Sequence, residues 1–187
     1  MKLPLAYYGH PILRQKGARI DEITAEIRQL VDDMIETMDE KDGIGIAAPQ
    51  VHHSFALFIT RVPTFKGMKV IEDGEEEEED WEPGEIRIFI NPKILNYSED
   101  KAPFSEGCLS IPKINADVYR PVKITIQAIG LDGKEFTEEF EDLAARVFMH
   151  ENDHVNGVLF IDRLHEKERQ RIEPQLKALK KKLAKRK

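Results

Sequence analysis

Over residues 23–38 the apolar residues Ile23, Ile27, Leu30, Val31, Met34, Ile35 and Met38 recur at three and four, the spacing of one helix face. Asp21 is placed to cap this helix and Gly43 to end it. GIGIAAPQ, residues 43–50, is too rich in small residues and too close to Pro49 for a comfortable helix, and reads as an exposed turn or irregular edge segment. Short runs at 55–60 (FALFIT) and 85–90 (EIRIFI) predict strands, and 122–129 alternates Val122, Ile124, Ile126 and Ala128 against polar neighbours. Asp132-Gly133 is a hairpin signal, so 122–140 predicts two antiparallel strands. A second helix is predicted over 142–156, with Leu143, Val147, His150, Glu151 and His154 on one stripe and Gly157 as its stop. A third, highly charged, begins near His165 and keeps Ile172, Leu176, Leu179 and Leu183 at partly helical spacing. Pro174 marks a break or a second helix start within it.

No regular alternation of strand and helix announces a parallel sheet, and no internal repeat is present. The 187 residues suit one domain. No run approaches the roughly 18 apolar residues of a membrane span, and the N-terminus lacks a signal-peptide pattern, which points to a cytoplasmic protein without membrane attachment. Cys108 is the only cysteine, so there is no disulfide partner within the chain and the thiol is a packed group, a nucleophile or a ligand.

Charge is unevenly placed. The net charge is −7, yet residues 165–187 hold ten Lys/Arg against three acids, leaving this basic tail at +7 and the remainder at −14. The insert GEEEEEDWEPGE, residues 74–85, is almost wholly acidic and punctuated by proline and glycine, and is expected to be a mobile solvated loop.

The chemistry gathers on the second helix. His150-Glu151-Asn152-Asp153-His154 is H-E-x-x-H, which on a helix projects two imidazoles from one face with a carboxylate beside them. Two nitrogens can share one ion, but a catalytic site of this kind takes three protein ligands and leaves a position for water. The extended metzincin signature requires a histidine where Phe160 stands, which excludes that protease class. Cys108, in SEGCLS, is the best third ligand because a thiolate binds first-row divalent ions readily. A thiol-protease reading, with Cys108 as nucleophile and His150 as base, leaves His154 unused.

Taken together, GIGIAAPQ, EGCLS and HENDH resemble the motifs of the peptide deformylase family, bacterial type with a C-terminal helix, and occur in family order from the first helix to about Asp162. The resemblance implies an α+β fold, with antiparallel β-sheets around a central helix carrying H-E-x-x-H, plus an N-terminal helix and a C-terminal helix. It implies metal-dependent removal of the formyl group from the N-terminal formyl-methionine of newly made polypeptides, with release of formate. Cys108, His150 and His154 would hold the metal, Glu151 would move the proton, and the Gln50 side chain and Leu109 N–H would stabilise the oxyanion. Ile44 and Gly45 would lend backbone groups to the peptide, Leu143 and Val147 would form the methionine pocket, and Glu106 with Arg120 would brace the cysteine loop. The family favours Fe2+ as the one divalent ion per chain, with Zn2+, Ni2+ or Co2+ able to substitute, and offers precedent for ribosome association through the basic tail.

Three departures stand out. His52 and His53 follow APQV where glycine is usual, Arg146 replaces a common apolar residue, and the acidic insert is long. Two other functions fit the same motifs: a metal amidase acting on another small N-acyl group, and a non-catalytic module that binds nascent N-termini.

Overall fold

The computed structural model describes residues 1–70 and 77–184. After a 3-10 turn at Pro11–Arg14, helix α1 runs Ala25–Glu40, followed by strand β1 (Gly45–Ala47), a second 3-10 turn (Ala48–Val51), β2 (Leu57–Thr60), β3 (Thr64–Val70) and β4 (Glu77–Glu82). β5 (Arg87–Tyr97), β6 (Lys101–Cys108), β7 (Ile111–Pro121), β8 (Lys123–Ile129) and β9 (Glu135–Glu141) precede α2 (Asp142–Val155) and α3 (Glu166–Ala184). The strands form an antiparallel five-stranded sheet in the order β1-β2-β5-β8-β9 and two antiparallel ribbons, β3-β4 and β6-β7.

The sheet is buried on both faces around β2, which is why that strand reads as an unbroken apolar run. Leu57 and Ile59 meet Leu30, Val31, Met34 and Met38 of α1, whereas Phe58 meets Phe89 and Phe148 and belongs to the layer under α2. There the Phe58 and Phe89 rings stack 4.5 Å apart, and Phe148 lies 4.8 Å from Phe89. Buried aromatic side chains of this size dominate a core's energetics, so α2 is clamped to the sheet by its apolar side while its polar stripe faces away. A third cluster packs Ile111, Ala116 and Val118 of β7 against Ile172 and Leu176 of α3 and Phe160 between the two last helices.

Several sequence expectations are corrected. Thr24, not Asp21, caps α1, its side chain accepting a hydrogen bond from Ile27 N–H at 3.4 Å. Asp21 is exposed and pairs with Arg19 instead. Residues 43–50 are an edge segment as expected, but 45–50 are buried rather than exposed, because β1 is covered by α1 on one face and α2 on the other. The acidic insert was expected to be a loop throughout, yet 77–82 form β4. Its partner β3 places Lys66 within 3.0 Å of Glu82 and Phe65 beside Trp81 with rings 5.2 Å apart. Opposite charges and an aromatic pair across the strands offset the repulsion within β4; residues 74–76 lie outside the described part. Pro174 does not break α3, which continues through it because Ile172 and Leu176 on either side are buried against β7.

Thr24→Ala should cost about 1 kcal/mol of stability, the usual loss for a helix cap, whereas Asp21→Ala should stay within about 0.5 kcal/mol. Urea denaturation of the two variants checks the assignment.

Candidate active site

Helix α2 presents His150, Glu151 and His154 toward the tip of the β6-β7 ribbon, where Cys108 closes the strand. The ligand atoms of Cys108, His150 and His154 lie within 4.8 Å of one another, and Cys108 Sγ is 3.2 Å from His154 Nε2. Bonds of about 2.3 Å to sulfur and about 2.0 Å to imidazole nitrogen, arranged tetrahedrally, separate such donors by about 3.5 Å. One divalent ion therefore fits this donor set. His150 Nδ1 is held 3.1 Å from Glu106 Oε2, which leaves its Nε2 for the ion and fixes the ring.

Glu106 is itself locked. Arg120 donates to both of its oxygens, at 2.7 and 3.0 Å, and also donates to Asp153 at 2.8 Å. Arg146 adds a bond to Glu106 at 3.1 Å and others to the Val118 and Ala102 carbonyls, while Arg163 donates to both Asp153 oxygens. Sequence reading found Glu106 and Arg120 but missed Asp153 and Arg163, and treated Arg146 only as a departure. Arg146 stands one turn before His150, and Asp153 lies inside HENDH, so helical spacing alone put both on or beside the metal face. Burial alone would raise the Glu106 pKa, but hydrogen bonds from His150 and Arg120 outweigh it and bring the carboxyl down to about 2.

In the metal-free chain the two imidazoles diverge. Burial lowers His150, yet bonds to Cys108 and Glu106 hold it well above its ordinary pKa; His154 is driven well below by burial and by the charge on His150. The contacts that favour a proton on His150 therefore oppose metal binding there more than at His154.

Glu151 is buried beside this donor set, and its Oε2 has no hydrogen-bond partner among the described residues. Burial pushes its pKa up to about 7. Its carboxylate packs so closely on β1 that a Cβ at Gly45 would meet Oε1 at 2.4 Å; no other residue fits there without moving the carboxylate. Gln50 is oriented from behind: its Oε1 accepts from Ala47 N–H at 2.8 Å, so its amide nitrogen turns to Ser110 Oγ at 3.3 Å and Cys108 Sγ at 3.6 Å. Ser110 is a further contact that sequence reading did not single out.

A cavity of about 600 Å³ opens over these groups, lined by Ile44, Gly45, Gln50, Cys108, Leu109, Leu143, Val147, His150 and Glu151 among others. The Ile44 carbonyl is already engaged by Arg61 N–H at 2.9 Å. By strand alternation, the N–H and C=O of Gly45 then point to the outer edge of β1, which is the edge of the sheet. His52 and His53 lie outside the donor group. His52 takes the left-handed conformation, with φ of 65°, so the turn leaving Gln50 keeps a shape that glycine favours despite the histidine.

Residues 2–170 match the family model described as polypeptide deformylase. A peptide deformylase of Chlorobaculum parvum is 38% identical over 180 residues, covering 96% of this chain and 89% of the relative. One from Agrobacterium fabrum is 44% identical over 161 residues, 86% of each protein. Among solved structures, Arabidopsis thaliana peptide deformylase 1B in complex with an inhibitor superposes with a TM-score of 0.83 at 38% identity, covering all of this chain and 93% of the other. A peptide deformylase from Acinetobacter baumannii bound to Met-Ala-Ser superposes with a TM-score of 0.73 at 31% identity, covering 88% and 99%. With its motifs, its fold and its donor set in agreement, the chain belongs to the polypeptide deformylase family.

Proposed function

We propose that this chain removes the formyl group from N-terminal formyl-methionine of newly synthesised polypeptides, working as one domain over residues 1–187 in the cytoplasm. The observation that carries the reading is a buried carboxylate, Glu151, one of whose oxygens has no partner among the described residues, set beside three convergent metal donors at the base of an apolar cavity. Cys108, His150 and His154 hold the ion, which when bound lowers the pKa of water and polarises the formyl carbonyl. Glu151 takes the proton of the attacking water and returns it to the leaving amine. The Gln50 amide and the Leu109 N–H stabilise the oxygen as it gains charge. Leu143 and Val147 receive the methionine side chain, and the Gly45 edge, with Ile44 beside it, pairs with the peptide backbone, so recognition beyond methionine needs no particular sequence.

A formate-release assay on formyl-Met-Ala-Ser and acetyl-Met-Ala-Ser tests the substrate. The formyl peptide should be turned over at least a hundredfold faster; preference for acetyl would point to the related N-acyl amidase instead. Glu151→Gln should lose at least about a thousandfold in kcat, the upper range for a missing proton-transfer group, while retaining one metal per chain. A binding module would show no turnover to lose. In the metal-free form the same variant should also melt higher than the parent at pH 8, with the gap closing toward pH 5. The raised pKa of Glu151 means the folded state keeps a proton that the unfolded state has released, so stability falls as pH rises from the ordinary carboxylate range through about 7.

Fe2+ is the expected ion in the cell, with Zn2+, Ni2+ or Co2+ as substitutes; a thiolate and two imidazoles accommodate each of them. Protein purified without oxygen should contain iron and lose activity and iron together in air, whereas the nickel form should persist. Full activity with unchanged iron content after aerobic storage would refute this.

The exposed lysines of α3 suit a ribosome-facing role, since clustered cations bind RNA phosphate in a salt-dependent way. Lys177→Glu with Lys181→Glu should reduce co-sedimentation with ribosomes at low salt; unchanged sedimentation would remove the idea.

A further inference from the structure

The cavity over the metal donors does not end at the methionine pocket. It continues to three lysines brought from distant parts of the chain: Lys41 beyond the end of α1, Lys113 in β7 and Lys182 near the end of α3. Lys113 sits at the tip of the ribbon that carries Cys108. Between the Cys108–Ile111 and Glu106–Ala116 pairs the register of β6 and β7 shifts, and Lys113 takes the left-handed conformation with φ of 64° within that irregularity. Lys113 and Lys182 are exposed and make no ion pair among the described residues, while Lys41 has Glu40 at 3.4 Å. Three carboxylates share the same lining, but two are buried inside the catalytic machinery, Glu106 in its arginine bonds and Glu151 against Gly45; only Asp42 is exposed. The mouth of the cleft is therefore positive in a chain whose net charge is −7. Leu179 and Leu183 of α3 line the cavity with Lys182, so the C-terminal helix forms a wall of the cleft.

We infer that this lysine collar recognises an acidic side chain downstream of the formyl-methionine, making the chain faster on nascent peptides with Asp or Glu a few residues in. This rests on the deformylase reading. A peptide paired on the Gly45 edge runs out of the apolar pocket into the collar, and its main chain supplies no charge to meet the lysines. An acidic side chain does. The contact is remote from the reacting carbonyl and the same before and during reaction, so it acts on KM rather than kcat.

The test uses the full-length, metal-loaded enzyme and peptides of the form formyl-Met-Ala-x-y-amide, with Asp, Ser or Lys at the third or fourth residue. Asp should exceed Lys in kcat/KM by about fivefold at low salt, through KM, and the ratio should approach one in high salt as screening removes it. Lys113→Glu with Lys182→Glu should bring the ratio to one or below. Lys177→Glu, a charge change of the same sign on α3 outside the cavity, should leave it unaltered. An Asp-to-Lys ratio that survives the double reversal, or that Lys177→Glu shifts equally, overturns the collar. A preference appearing only with a free C-terminal carboxylate, and lost on amidation, would show recognition of short-peptide ends and would likewise overturn the claim for internal acidic residues. Turnover of the Ser peptide by the parent enzyme keeps the two readings apart: its absence would count against deformylation itself, whereas its presence with no charge preference would defeat the collar alone.

Discussion

A single buried guanidinium holds the site together. Arg120 bonds Glu106, two residues before Cys108, and Asp153, one residue before His154. One side chain thus ties the strand that carries the thiolate to the helix that carries the imidazoles. Arg146 and Arg163 surround the same two carboxylates, so three guanidiniums meet two carboxylates in a largely buried network, with Arg163 half-exposed at its rim. A buried group of this kind adds modest net stability, but removing one partner leaves another charge uncompensated, at about 3–5 kcal/mol. Geometry at the metal is consequently protected by energetics that have nothing to do with metal binding.

The same logic explains why α2 can carry so many polar groups. Phe148 and its aromatic neighbours fasten the helix to the sheet from below, and the arginine network fastens it to the ribbon from the side. Glu151 is left between these supports with one oxygen against Gly45 and the other without a partner among the described residues. A carboxylate in that setting is poorly solvated, and the protein tolerates it because the flanking elements are already fixed.

Much of this was legible in the chain. His150, Glu151 and His154 share one face of α2 as their spacing suggested, Cys108 and Gln50 lie beside them as donor chemistry and the family resemblance implied, and the 122–140 hairpin and the first two helices lie within a few residues of where apolar periodicity put them. What escaped depends on pairing that local sequence does not encode. The burial of 45–50 needs α2, about a hundred residues away, as well as the neighbouring α1, and the strand character of 77–82 draws on Lys66 and Phe65 of β3 rather than on its own glutamates. Arg146 looked anomalous because its position was compared with an apolar norm; its acceptors, Glu106 and two carbonyls, come from strands about thirty to forty residues earlier. Thr24 displaced Asp21 because the first helical turn begins later than the first apolar residue of the stripe.

The outward edge of β1 bears on the end of the catalytic cycle as much as on its start. Open strand edges invite unwanted pairing, and proteins keep them short or covered; here the strand is three residues long and sunk between two helices. A deformylated peptide still has the methionine and the backbone that this edge holds. What changes is its end, where an uncharged amide has become an amine able to take up a proton. With a divalent ion held by Cys108, His150 and His154, that new charge would oppose the product's stay in the site, so hydrolysis and release would be coupled through electrostatics.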